Sequence, residues 1–127
     1  MSKDKHPTLQ FEKEAHVATS VFFNIVNAWN VKLEDQLILL GLHSTSVIDN
    51  MKAGKVTNLS DDTLNRISYI IRIYKALGIL FSVKDQAHAW PRKPNAHFNN
   101  ESALKYMLKG NVTHLSDVCR YLNSQYF

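Results

Sequence analysis

The sequence predicts an all-α protein in which a helix-turn-helix N-terminal half packs with a helical C-terminal half. Three observations predict it. Apolar residues recur at helical spacing along most of the chain, no stretch alternates with a period of two long enough for a sheet, and Gly41, Gly54, Pro91, Pro94 and Gly110 punctuate the periodic segments. At 127 residues and 45% hydrophobic content, the chain suffices for one ordinary domain or for two small helical units that share a core.

Residues 1–12 lack periodicity and contain Pro7, so they are expected as a flexible arm. Val17, Val21, Ile25 and Ala28, with Phe22 and Trp29 alongside, mark a first helix from Glu14 to Trp29. A short second helix runs from Lys32 to Leu40. Gly41 follows it and supplies the left-handed turn that ends helices. Ser44 is placed to cap a third helix that runs to Lys52 and stops at Gly54. Residues 13–57 therefore form one unit, a helix-turn-helix.

Residues 58–127 form the second unit. Its long helix begins at Ser60 as N-cap, with Asp61 and Asp62 complementing the helix dipole, and runs to Leu80. Its expected buried stripe is Leu64, Ile67, Ile71 and Tyr74, widened by Ile70, Leu77 and Phe81. Pro91 and Pro94 close a short helix over Asp85–Trp90, since the residue before proline is pushed out of helical conformation. A further helix starts at Asn100 or Ser102 and ends at Gly110. The last begins near Thr113 and buries Leu115, Val118 and Leu122.

Charge is unevenly divided. Up to Lys55 there are six lysines, no arginine and six acids; from Val56 onward nine Lys and Arg face five acids, so the net +4 belongs to the second part. DNA binding by the first part would have to rest on specific contacts, not on bulk electrostatics. In a helix-turn-helix the second helix enters the major groove, which nominates Ser44, Thr45, Ser46, Asp49 and Asn50 for base edges and Lys52 and Lys55 for phosphates. The same pattern also fits an αα-hairpin with a solvated polar face.

No catalytic constellation stands out. His6, His16, His43, His88, His97 and His114 are scattered with no HExxH spacing, there is no glycine-rich phosphate loop and no nucleophile elbow, so neither an enzyme nor a metal or cofactor site is expected. The single cysteine, Cys119, fits helix packing in a reducing compartment. With no apolar run of a length to span a bilayer and no signal-peptide pattern at the start, the protein is expected in the cytoplasm.

The second unit resembles a known family. LSDDTLNRISYIIRIYKALGILF, then AWPRKPNAHFNNESALKYMLKG, then VCRYLN are similar to the toxin-binding domain of the Xre/MbcA/ParS antitoxins over residues 58–123. Trp90, the Pro94–Asn95 pair, Phe98, Ala103-Leu104, Met107-Leu108 and Gly110 carry the resemblance in order and spacing, and the preceding unit lies where that family has its Xre-like helix-turn-helix. The resemblance implies an antitoxin of a type II toxin–antitoxin system. Its partner would be a RES-domain toxin that consumes NAD; it would also form a homodimer, and would repress its own operon by binding operator DNA. Two positions depart from the family pattern: the third helix is neutral with Met51 where an aromatic is common, and Cys119 precedes Arg120 where a second basic residue is common.

An inhibitor of an enzyme that binds a negatively charged dinucleotide is suited by positive and aromatic groups. Arg120, Tyr121, Tyr126 and Phe127 are thus the expected toxin contacts. Trp90, Phe98, Met107 and Leu108 are expected chiefly as core. A stand-alone helix-turn-helix transcriptional regulator is the alternative reading, and the long C-terminal half is what such a regulator would not need.

Overall fold

The computed structural model describes the backbone of residues 2–55 and 59–126 and the side-chain surroundings of residues 13–55 and 59–125. Within them run α1 (Ser2–Ala28), α2 (Leu33–Leu40), α3 (Thr45–Lys52), α4 (Asp61–Leu80), α5 (Lys84–Ala89), α6 (Ala103–Met107) and α7 (Val112–Tyr126). Two 3-10 turns, Trp90–Arg92 and Ala96–Phe98, separate α5 from α6. Among the described residues no strand forms, and the one extended pairing is an isolated bridge between Pro94 and Ser102.

The helix ends follow local chemistry. Ser60 accepts a hydrogen bond from the Thr63 amide and Ser102 from the Lys105 amide, each satisfying one of the first-turn donors that a helix leaves open. Gly41 closes α2 at φ 71°, which a side chain would resist. At the start of α7 the Asn111 side chain accepts from the Thr113 amide while the His114 ring accepts from the Asn111 amide, a reciprocal cap. Ser44 does stand at the N-cap of α3, yet its hydroxyl pairs with that of Ser46 at 2.7 Å and not with a backbone amide.

α4 is the hub. It packs along α7 and α1 and also meets α2 and α5. One continuous core joins Phe22, Ile25 and Trp29 of α1, Leu39 and Leu40 of α2, Ile48 and Met51 of α3, Ile67, Ile70, Ile73 and Leu77 of α4, and Leu115, Val118 and Leu122 of α7. The two sequence units thus bury their apolar faces against each other.

Two expectations are corrected. Helix α1 runs from Ser2, ahead of the expected helix start at Glu14. The buried face of α4 is Thr63, Arg66, Ile67, Ile70, Ile73, Ala76 and Leu77, while Leu64, Ile71 and Tyr74 are only half-buried. The reason is that neighbours pack on several sides of α4, so apolar residues fill more than one stripe, and at its first turns the inward side is polar.

Candidate partner-binding face

The segment between Pro94 and Ser102 has little regular structure and is held by asparagines. Asn95 accepts from the His97 amide at 2.8 Å, and the Asn95 amide and carbonyl bond the Glu101 carbonyl and the Asn100 amide. Asn99 and Asn100 take positive φ of 57° and 66°, which asparagine tolerates better than most residues. This folded loop delivers His97 and Phe98 onto α7.

There they meet Tyr121. The His97 ring stacks on it with centroids 4.1 Å apart, Phe98 meets it edge-on at 5.6 Å, and Trp90 lies nearly parallel at 6.4 Å. Phe98 in turn contacts Tyr106 at 4.9 Å, and His114 meets Tyr106 edge-on. Each such pair contributes about 0.5–1.5 kcal/mol beyond area burial, so rings from four elements lock one another in place.

A polar chain crosses these rings. The Tyr106 hydroxyl donates to Asp117 Oδ2 at 2.5 Å and Arg120 donates to Asp117 Oδ1 at 2.8 Å. The hydrogen bond to Asp117, burial and the negative charge of Asp117 hold the Tyr106 phenol above its ordinary pKa, partly countered by Arg120. Lys109 Nζ lies over the Tyr106 ring, 5.0 Å from its centroid. Between the rings and α7 lies an open depression of about 370 Å³ lined by His97, Phe98, Tyr106, Asp117, Arg120, Tyr121 and Ser124.

Of the residues nominated from sequence for a toxin contact, Arg120 and Tyr121 both line this depression. The Arg120 side chain is 74% exposed, and Tyr121 is half-buried in the ring stack. Tyr126 belongs to the last turn of α7 but its side chain lies outside the described residues, as does Phe127 altogether. Phe98 and Met107 are buried as expected, whereas Trp90 and Leu108 are half-buried. Sequence reasoning missed Tyr106 and Asp117. Their separation of eleven residues across a turn leaves no local signal; only the mixed polar and aromatic faces of α6 and α7 could have hinted at it.

The nominated DNA residues share a second face. Ser44, Thr45, Ser46, Asp49, Asn50 and Lys52 are exposed on or beside α3, and Lys55 is exposed just after it. Ile48 and Met51 are the buried residues of α3, so Met51 is a core residue and the helix is anchored by two side chains. Lys52 lies 5.1 Å from the Phe23 ring centroid, which holds its head toward α1.

Among the described residues no three His, Cys, Asp or Glu side chains converge as metal ligands, and no helix is long and apolar enough to cross a membrane. Cys119 is buried, and burial pushes its thiol above the ordinary value, with nearby Arg72 acting in the opposite direction.

With this geometry in place, comparison with known proteins gives the class. Residues 76–126, which include α5–α7 and every residue of the aromatic face, match the family model of the antitoxin Xre/MbcA/ParS C-terminal toxin-binding domain. The uncharacterized protein y4oB of Sinorhizobium fredii is 40% identical over 104 residues, covering 82% of this chain and 80% of that one. The chain belongs to the Xre/MbcA/ParS antitoxin family, whose role is that of an antitoxin with a toxin as partner.

Proposed function

We propose that the protein binds and inhibits a RES-type, NAD-consuming toxin through the face built by Trp90, His97, Tyr106, Asp117, Arg120 and Tyr121. The observation that carries this reading is an exposed arginine paired with a carboxylate on the rim of an aromatic depression, inside the segment that matches the toxin-binding family. Asp117 holds one edge of the guanidinium and leaves its remaining donors facing solvent, a pre-organised group for a partner's anion. Arginine and tyrosine are enriched among the residues that dominate interface energies.

The test is co-expression with the toxin encoded beside it, purification through a tag on the toxin, and rescue of toxin-expressing cells. Wild-type protein co-purifies and rescues. Arg120→Ala and a chain ending at Asn123, each with unchanged circular dichroism and melting temperature, lose rescue. Full rescue by both variants moves the inhibitory surface off α7.

As a second activity, the protein acts in the cytoplasm as a homodimer that represses its own operon, two α3 helices reading half-sites about 34 Å apart. Support for this comes from the exposed polar face of α3 with Lys52 and Lys55 at its end. With two cations per subunit, about four phosphate contacts give a log–log salt slope near −4. A slope near −8 would place the basic C-terminal half on DNA as well.

A further inference from the structure

Arg66 is the one charged side chain among the buried residues described, 8% exposed on the inner side of α4. Three of its five N–H donors are engaged, in three directions. Nε donates to Asp62 at 2.8 Å within α4, Nη1 to the Ile38 carbonyl at 3.2 Å, and Nη2 to the Gly110 carbonyl at 2.9 Å. Ile38 lies in the last turn of α2, immediately before the Gly41 turn into α3. Gly110 lies in the corner between α6 and α7. One side chain therefore bonds both corners, which are distant in sequence.

The neighbourhood is built around that arrangement. A Cβ on Gly41 would come within 2.7 Å of Arg66 Nε and 2.9 Å of an Asp62 oxygen, so the turn into α3 is packed directly on the guanidinium. One turn earlier on α4, the Thr63 hydroxyl donates to the Leu40 carbonyl at 2.9 Å. The Ile38 carbonyl already accepts from the Gly41 amide, so Arg66 joins the bond that closes the turn. A buried guanidinium deprived of a partner is strongly destabilised, so displacement of either carbonyl obliges Arg66 to move and the other corner to respond.

We propose that Arg66 is the coupling element between the α6–α7 corner and the α2–α3 pair, so that a partner engaging the α6–α7 face alters the position or mobility of α3. This goes beyond, and rests on, the reading that the α6–α7 face receives the partner. By linkage the coupling is reciprocal: whatever orders α3 is felt at the α6–α7 corner by the same factor.

The test needs no partner, so its failure is distinct from failure of the toxin-binding reading. Asn111→Ala removes the cap of α7 next to Gly110 without touching α2. Amide hydrogen exchange is measured at Gly41 and Leu42, whose amides close the α2 end, with Val118 in the α7 core as the marker of global opening. In the wild-type background Asn111→Ala is expected to speed exchange at Gly41 and Leu42 by about fivefold or more relative to Val118, the lower end of ordinary coupling between sites. In an Arg66→Met background the same change leaves Gly41 and Leu42 unaffected relative to Val118. Should Arg66→Met fail to fold, Arg66→Lys serves, because a single ammonium cannot reproduce the guanidinium's three-way geometry. The proposal is overturned if exchange at the α2 end does not respond in the wild type, if it responds only in step with Val118, or if it responds equally in both backgrounds.

Discussion

The α3 face and the α6–α7 face are both exposed and polar, yet they are made on opposite principles. The first consists of short Ser, Thr, Asn and Asp side chains on one eight-residue helix, held to the core by Ile48 and Met51. The second is assembled from rings of four elements, cross-braced by the Tyr106–Asp117 hydrogen bond, with Arg120 exposed at its edge. A surface of the second kind loses little freedom when a partner docks, so a larger share of its contact energy survives as affinity. A surface of the first kind gains its meaning from where the helix is placed, which makes its support more important than its own side chains.

Changes that strike both faces at once have the largest effect. Ile70, at the centre of the shared core and without exposed surface, loses about 2–5 kcal/mol on replacement by alanine, read as a lower urea midpoint at unchanged slope. Ile71→Ala, at a half-buried position in an open groove between α1 and α4 that Val17, Val21 and Lys75 also line, costs less than half as much. Equal losses would mean that the groove is closed in solution.

Next comes a change confined to the aromatic face. Tyr106→Phe removes the bond to Asp117 and costs about 1 kcal/mol at neutral pH. Its pH dependence follows from the raised phenol. The folded state holds the Tyr106 proton more tightly than the unfolded chain, so this contribution is fully present below the unfolded tyrosine value, about 10, and is lost as pH rises above it. The wild type should therefore lose stability in mild alkali faster than Tyr106→Phe, as followed by melting temperature from pH 8 to 11. Parallel curves would remove the stabilising role assigned to that hydrogen bond. The smallest effect on stability belongs to Arg120→Ala, within about 0.5 kcal/mol by urea unfolding because the pair with Asp117 is solvent-exposed. A larger loss would make Arg120 a structural brace, and its use as a test of partner binding would fail.

The helix inventory was legible because its signals are local. Ser60, Ser102, Gly41 and Gly54 act at the positions where their chemistry is needed, and Leu115, Val118 and Leu122 fall on one face of α7 as their spacing requires. The register of α4 was not legible, because a helix with several neighbours buries more than one apolar stripe. Arg66 and Thr63 face inward, and hydropathy counts such residues as outward. The aromatic face was half legible: the charge of Arg120 and the ring of Tyr121 nominated them and both line the depression, whereas Tyr106 and Asp117 become partners only once the α6–α7 corner folds.

The two tryptophans have an optical consequence. Trp29 is sealed in the core, while Trp90 is half-buried beside Tyr121 in the aromatic face. The chain therefore carries one tryptophan fluorophore in each half, in different solvent shells. Light emitted from Trp29 is blue-shifted until the core opens, and iodide or acrylamide reaches Trp90 first. Quenching of the red edge alone reports occupation of the aromatic face, and a shift of the blue edge reports loosening of the core, so the two events can be followed in one cuvette without a label.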